Sequence, residues 1–302
     1  MKAVVIRAYG GPEELKFEER PDAIAEPGDV LVRVAATSVN PFDIKLRSGK
    51  MNEFFPLTFP AILGVDVAGI VETVGPGVQN LAPGDIVFAN AMQTYASLCV
   101  VRAADLANIP NRMDIIEAAA LPTVTMTGAQ LEELATRGRQ RGTVLVTGAA
   151  GNVGRSAGFA AKQGGWVVIA GVRKKQTEET KATEADRVIA LDDEAAMKSL
   201  EPLDAVADTI SGPSANQLIG KVKKGGVFAS VLASPSNAAA HPDVRIETME
   251  VKKAPATLVR MAEAVKAGKF QIPIGQRFAL ADASKAHLAA EKGVAGKLLL
   301  LV

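Results

Sequence analysis

The stretch Thr143-Val144-Leu145-Val146-Thr147-Gly148-Ala149-Ala150-Gly151-Asn152-Val153-Gly154 decides the fold. Its first five residues form a continuous apolar run bounded by β-branched threonines, the pattern of a buried strand. Glycines 148, 151 and 154 follow at intervals of three. Residues 153–163 are apolar and alanine-rich, as a packed helix would be. A strand, a tight glycine turn and a helix in that order let the backbone approach a pyrophosphate closely. Free N–H groups at the helix start, near Asn152 and Val153, then favour the negative phosphates. Gly148, Ala150, Gly151, Asn152, Val153 and Gly154 are therefore the candidate phosphate cradle. The other reading is a plain tight turn in an unrelated α/β protein.

Downstream, residues 166–170 read as the next strand. It is followed by Gly171-Val172-Arg173-Lys174-Lys175. A site selective for NAD places an Asp or Glu near this point, to bind the ribose 2′-hydroxyl. Here that acid is missing and three cations stand together. A 2′-phosphate suits positive charge and room, so Gly171, Arg173 and Lys174 point to NADPH over NADH. The cations also fit a solvated helix start. Further strands are predicted over 187–190, 205–209, 227–232 and 244–249, with a charged helix around 174–185 and another helix over 257–267. Near-continuous apolar strands alternating with helices imply a doubly wound parallel sheet covered on both faces.

Upstream, the chain is punctuated by Pro27-Gly28-Asp29, Gly75-Pro76-Gly77 and Pro83-Gly84-Asp85. Strands are predicted over 1–7, 29–36, 65–74 and 86–88, as in a compact, mostly β domain. Helices are predicted over 115–121 and 127–137. After residue 268 the chain ends in a strand-like segment, 297–302.

Composition narrows the chemistry. The formal net charge of +1 argues against nucleic acid or anionic lipid as a main partner. The single cysteine, Cys99, sits in an apolar run and reads as a buried, inert thiol. The N-terminal apolar run breaks at Arg7, unlike a signal peptide, and no stretch reaches the roughly 18 apolar residues that span a bilayer. A cytoplasmic location away from membranes is expected. One Cys and two histidines, His241 and His287, cannot supply a zinc ligand set, so no metal is expected. Each histidine reads as a surface or capping residue. Gly-x-Ser-x-Gly is absent, which argues against a serine hydrolase. Neither Tyr9 nor Tyr95 has Lys at the fourth position beyond it, which argues against a short-chain reductase.

Several motifs in order carry a resemblance. They are Tyr9-Gly10-Gly11-Pro12-Glu13, Ser38-Val39-Asn40-Pro41-Phe42-Asp43-Ile44-Lys45, Gly64-Val65-Asp66-Val67-Ala68-Gly69, Ala119-Ala120-Leu121-Pro122, the 148–154 turn and Gly296-Lys297-Leu298. Together they resemble zinc-independent medium-chain dehydrogenase/reductases of the quinone oxidoreductase branch. Zinc members carry a Cys ligand where this chain has Asn40, and a Gly-His-Glu where it has Gly64-Val65-Asp66.

The resemblance implies a GroES-like mostly-β catalytic domain over 1–121 and 267–302, and a Rossmann NADP(H)-binding domain over 122–266. It implies hydride transfer from NADPH to a small electrophile: a quinone, or an α,β-unsaturated carbonyl such as an enone or enal. In that family the nicotinamide lies in a cleft between the domains, with Asn40 beside the substrate. Asn40 equally suits a cap for the turn before Pro41. Asp43 is a second polar group there, or the cap of a helix beginning at Ile44. Thr127, in the loop leading into the second domain, approaches the nicotinamide or caps a helix. Val231, Leu232 and Ala233 would flank the carboxamide, with Asp208 and Thr209 ending another strand near the cofactor. Phe42, Phe54 and Phe55 form an apolar substrate wall, or belong to the core. Relatives often carry Gly at Asn152 and a Tyr within 53–56, so no side chain is assigned as proton donor. Family members are commonly homodimers. Some relatives instead serve as structural or RNA-binding proteins of the zeta-crystallin type that keep their NADPH site.

Overall fold

A computed structural model describes residues 1–139, 141–180 and 185–302. The chain divides into two compact units: Met1–Thr123 with Lys253–Val302, and Val124–Lys252.

In the second unit six parallel strands line up in one sheet. The order is Arg187–Ala190, Val167–Val172, Thr143–Thr147, Leu203–Asp208, Val222–Ser230, Arg245–Thr248. Numbered within the unit, this is 3-2-1-4-5-6, the doubly wound Rossmann order. The alternation of side chains along each strand explains why the runs are apolar throughout. Val144, Val146, Val168, Ala205 and Ala207 face one layer, with Leu131, Ala157 and Ala161 from helices Pro122–Thr136 and Asn152–Gln163. Leu145, Ile169, Val206 and Phe228 face the other, with Met197, Leu218 and Ile219.

The first unit holds a seven-stranded sheet. Along it run Ile274–Ala279, Lys297–Leu301, Asp29–Val39, Asp66–Val74, Ile86–Asn90 and Ala107–Asn108, with Leu98–Arg102 paired to Asp29–Val39. All neighbours are antiparallel except the first two strands. Lys2–Ile6 pairs with Lys16–Glu19 and Ala61–Ile62 in a smaller sheet.

The structure departs from the sequence reading in several places. Helix Pro255–Lys266 belongs to the first unit, not the second, because it packs on strand Ala107–Asn108. The boundary therefore falls at Lys253 rather than at residue 267. The tail contains a helix, Ala283–Glu291, that was not anticipated; its alanines give it little amphipathic contrast. The helix predicted over 127–137 begins earlier, at Pro122, because the fixed φ of proline suits the first helical turn. Of the helix predicted around 174–185, a 3-10 turn Lys174–Gln176 and a short helix Thr177–Thr180 are seen, and residues 181–184 lie outside the described residues.

Candidate active site

The glycine turn has the predicted geometry. Gly148 takes φ +61, a left-handed conformation that side chains disfavour, and a Cβ there would meet Thr209 Oγ1 at 2.5 Å. A Cβ on Gly154 would overlap the Gly148 carbonyl oxygen, so the helix can approach the turn only with glycine at that position. Gly151 N–H donates to Gly148 O at 2.8 Å and Arg155 N–H to Gly151 O at 2.8 Å, closing the turn onto the helix. The first amides of a helix have no partner within it. Here those are the amides of Asn152, Val153 and Gly154, at the head of a 12-residue helix. Arg155 Nε donates to Ala150 O at 2.9 Å and so puts a cation beside the turn, a residue the sequence reading passed over.

The strand ends around the turn are tied by one carboxylate. Asp208 is fully buried and accepts from Thr147 Oγ1 at 2.7 Å, Ser230 Oγ at 2.9 Å and Ser211 N at 3.1 Å. Thr209 N–H donates to Thr147 Oγ1, and Thr209 Oγ1 to Thr147 O, both at 2.8 Å. Strand Leu203–Asp208 ends at Asp208, as expected. The Asp208 carboxylate is consumed by protein donors and clamps three strand ends together. Strand Val222–Ser230 stops before Val231, Leu232 and Ala233, which continue as loop. Val231 N–H donates to Asp208 O and Leu232 N–H to Ser230 Oγ. Gly171 lies in strand Val167–Val172, and Arg173 and Lys174 follow directly. Thr127 sits inside helix Pro122–Thr136 and is buried. It is neither a loop residue nor a cap, because the helix starts a turn and a half earlier.

In the first unit, Asn40 and Asp43 meet in a buried polar cluster. Asn40 stands at the head of helix Pro41–Arg47. The Asp43 carboxylate caps it, accepting Asn40 N–H at 2.8 Å, so the helix begins at Pro41 and not at Ile44. The Asn40 side chain turns elsewhere. Its Oδ1 accepts from Lys297 Nζ at 2.5 Å and its Nδ2 donates to Asp66 Oδ2 at 2.8 Å. A lysine ammonium can only donate, which settles which end of the amide is oxygen. Asp66 also accepts from Ser38 Oγ at 2.5 Å, Lys297 Nζ at 3.1 Å, and Thr123 N and Oγ1 at 2.7 and 2.6 Å. Burial pushes its carboxyl upward, but Lys297, Asn40, Ser38 and Thr123 outweigh this and hold it below the ordinary aspartate range.

Asp43 behaves in the opposite way. Desolvation raises its carboxyl to about 7, against the bonds from Asn40 N–H and Tyr95 Oη and with Asp66 nearby. Its Oδ1 is buried without a partner. Behind it runs a chain of hydrogen bonds: Tyr95 Oη to His287 Nε2 at 3.0 Å, and Arg47 Nη1 to His287 Nδ1 at 3.1 Å. Arginine only donates, so Nδ1 accepts. Desolvation and the Arg47 charge push His287 down to about 3, which keeps its ring neutral with the proton on Nε2. That N–H donates to Tyr95 Oη, whose own proton goes to Asp43 Oδ2 at 3.2 Å. The reading of His287 as a surface or capping residue is corrected: the ring is buried and every nitrogen is engaged. His241 does follow the 3-10 turn Ala238–Ala240, at its C-cap.

Phe42 is half-buried and meets Phe55 edge-to-face at 5.2 Å. Phe55 is 46% exposed and Phe54 74%, so neither belongs to the core. Cys99 is buried and its thiol is pushed up to about 12 by desolvation, as an inert thiol should be. Among the described residues no helix is long and apolar enough to cross a membrane.

Two domain families match the chain. Residues 26–140 match the alcohol dehydrogenase GroES-like domain, and residues 183–300 match the zinc-binding dehydrogenase domain. A chloroplast envelope quinone oxidoreductase homologue of Arabidopsis thaliana is 29% identical over 95% of this chain and 93% of its own length. The mouse mitochondrial NAD(P)H oxidoreductase RTN4IP1 is 30% identical over 74% of this chain, which spans 63% of that longer protein. The structure of the quinone oxidoreductase from Coxiella burnetii superposes with a TM-score of 0.89 at 28% identity, over 100% of this chain and 99% of that one. With the glycine turn, the 3-2-1-4-5-6 sheet and the antiparallel unit already in place, these matches mean that the chain belongs to the medium-chain dehydrogenase/reductases, in their quinone oxidoreductase branch.

Proposed function

We propose that the protein is an NADPH-dependent reductase that passes a hydride to a quinone or an α,β-unsaturated carbonyl without a catalytic zinc. The observation that carries this reading is the 148–154 turn, whose unpaired amides head a helix beside the carboxyl ends of the parallel strands. Bound there, the cofactor supplies the hydride. The Asn152, Val153 and Gly154 amides hold the pyrophosphate, and Arg155 adds charge beside it. Arg173, exposed directly after strand Val167–Val172, would supply a cation to a 2′-phosphate there. In the other unit, Lys297 and Asp66 hold the Asn40 amide in one orientation, with one strong donor bond made and only long contacts, 3.4 and 3.5 Å to Ser38, for the rest of Nδ2. That remaining N–H is the donor suited to a developing enolate or quinol oxygen.

The zinc-free reading is supported by the donor set. Lys297 Nζ, already a cation, is held by Asn40 Oδ1, Asp66 Oδ2 and Val39 O. A second cation there would meet charge repulsion rather than free ligands.

The test is NADPH oxidation against a panel of quinones, enones and enals, with and without a zinc chelator. Turnover on at least one class, unchanged by chelator, is expected. Tight NADPH binding with no turnover on any of them would favour a binding role instead. Loss of activity to the chelator would overturn the zinc-free part.

A further inference from the structure

Two neighbouring strand ends of the nucleotide unit carry acid as well as base. Strands Val167–Val172 and Arg187–Ala190 are parallel neighbours, with Val172 opposite Ala190 and Leu191 N–H donating to Val172 O at 2.8 Å. This register sets Arg173 and Lys174 beside Asp192 and Asp193. Asp192 Oδ1 accepts the Lys174 N–H at 2.6 Å. The Lys174 ammonium is paired with Asp193 Oδ2 at 3.1 Å. The other oxygen of Asp193 caps the following helix, Glu194–Lys198, by accepting Ala196 N–H at 3.1 Å. That backbone bond, and then the Lys174 charge, hold the Asp193 carboxyl below the ordinary range, so it stays ionised. Among the described residues the Arg173 side chain has no ion pair and is exposed.

A 2′-phosphate is a dianion and needs cations that are not already neutralised. Lys174, although 75% exposed, is paired with a carboxylate that the helix cap holds in place, and that carboxylate repels an incoming phosphate. A 2′-hydroxyl meets no such repulsion. We propose that Asp193 is a specificity-determining residue: it withholds Lys174 from the 2′-phosphate, so that discrimination falls chiefly to the exposed Arg173 and the preference for NADPH over NADH is muted. This rests on the cofactor site assigned under the proposed function. It adds a counterweight from a strand that contributes nothing to the glycine turn.

The experiment measures the dissociation constants of NADPH and NADH by fluorescence titration on the full chain. The variants are Asp193→Asn, Asp193→Ser, Arg173→Ala and Lys174→Ala. Asn and Ser both keep a capping group while removing the charge, so the helix start survives in at least one of them. Either should tighten NADPH by roughly 3- to 10-fold and move NADH by less than about 2-fold, as expected when one nearby charge is removed. Arg173→Ala should weaken NADPH by roughly 10-fold or more, and Lys174→Ala by less than about 3-fold, the difference between a free and an occupied cation. An unchanged NADPH/NADH ratio in both Asp193 variants would overturn the proposal and leave the cofactor site standing. So would equal losses from Arg173→Ala and Lys174→Ala. If the unaltered protein bound neither dinucleotide, the cofactor site itself would fall, and this proposal with it.

Discussion

Two buried aspartates 23 positions apart show how strongly surroundings set an ionisable group. Asp66 has an ammonium and four neutral donors around it, and stays ionised. Asp43 has two donors on one oxygen and none on the other, so burial wins and its carboxyl rises from the ordinary 3.8 to about 7. The consequence for stability follows from proton counting. Between those two values the folded state holds a proton on Asp43 that the unfolded chain has released. Folding stability from this group is therefore present at low pH and is lost as pH rises towards about 7. His287, pushed down from 6.5 to about 3, contributes the opposite slope between those values, because there the unfolded chain binds the extra proton. Asp43→Asn removes the first effect and leaves the second. Urea denaturation from pH 5 to 8 should show the variant gaining on the parent by up to about 1.4 kcal/mol per pH unit up to about pH 7, then running level. A difference that does not vary with pH would mean that Asp43 is an ordinary ionised carboxylate.

The element that bears most directly on ligand binding is the helix Asn152–Gln163 with the turn before it. Its start is held by backbone contact, not by a side-chain cap: Gly151 occupies the capping position without a capping bond, and Gly154 lies against the Gly148 carbonyl. A single methyl there cannot be absorbed by a rotamer change, because the atoms it meets are main chain. Gly154→Ala should cost about 1–3 kcal/mol, as overpacking does, and should abolish measurable NADPH binding by moving the amides of the turn. Urea denaturation and a fluorescence titration measure the two effects. Normal binding in this variant would show that the turn is not the phosphate cradle. The glycine spacing was legible before folding because a turn of this kind depends on local backbone geometry. The extent of helix Pro122–Thr136 was less so. Thr127 looks like a cap in sequence, since threonine serves that role well, but a proline five residues earlier had already started the helix.

At the scale of the whole molecule, the last strand completes the first unit. Lys297–Leu301 pairs with Asp29–Val39, and its leading lysine reaches under that strand to Asp66. Both ends of this ion pair are almost wholly removed from water, and the pair also orients Asn40. Removing one partner leaves a buried charge uncompensated, which typically costs about 3–5 kcal/mol. Lys297→Met should lose that much in chemical denaturation and should lower turnover with it, since Asn40 loses its restraint. The double variant Lys297→Met with Asp66→Asn should recover a substantial part of the stability, because no bare charge remains. If the single and double variants were equally unstable, packing rather than charge would be what Lys297 provides.

Sequence alone determined the parallel sheet, the glycine turn, the basic strand end and the branch of the family, because hydrophobic period, turn chemistry and ordered motifs are written in neighbouring residues. It also carries a hint of the buried ion pair: a lysine opening an otherwise all-leucine strand, Lys297–Leu301, has to find a partner. Only the tertiary structure decided which partner. Lys297 meets Asp66 across 231 positions, Tyr95 meets His287 across 192, and Lys174 meets Asp193 through the register of two strands. Those pairings turn a motif aspartate into a counter-ion and a presumed surface histidine into a buried link. They also set an acid against one of the cations that pointed to NADPH. Pairing follows strand order and side-chain direction, which arise from the packing of the whole chain and leave no trace in local spacing.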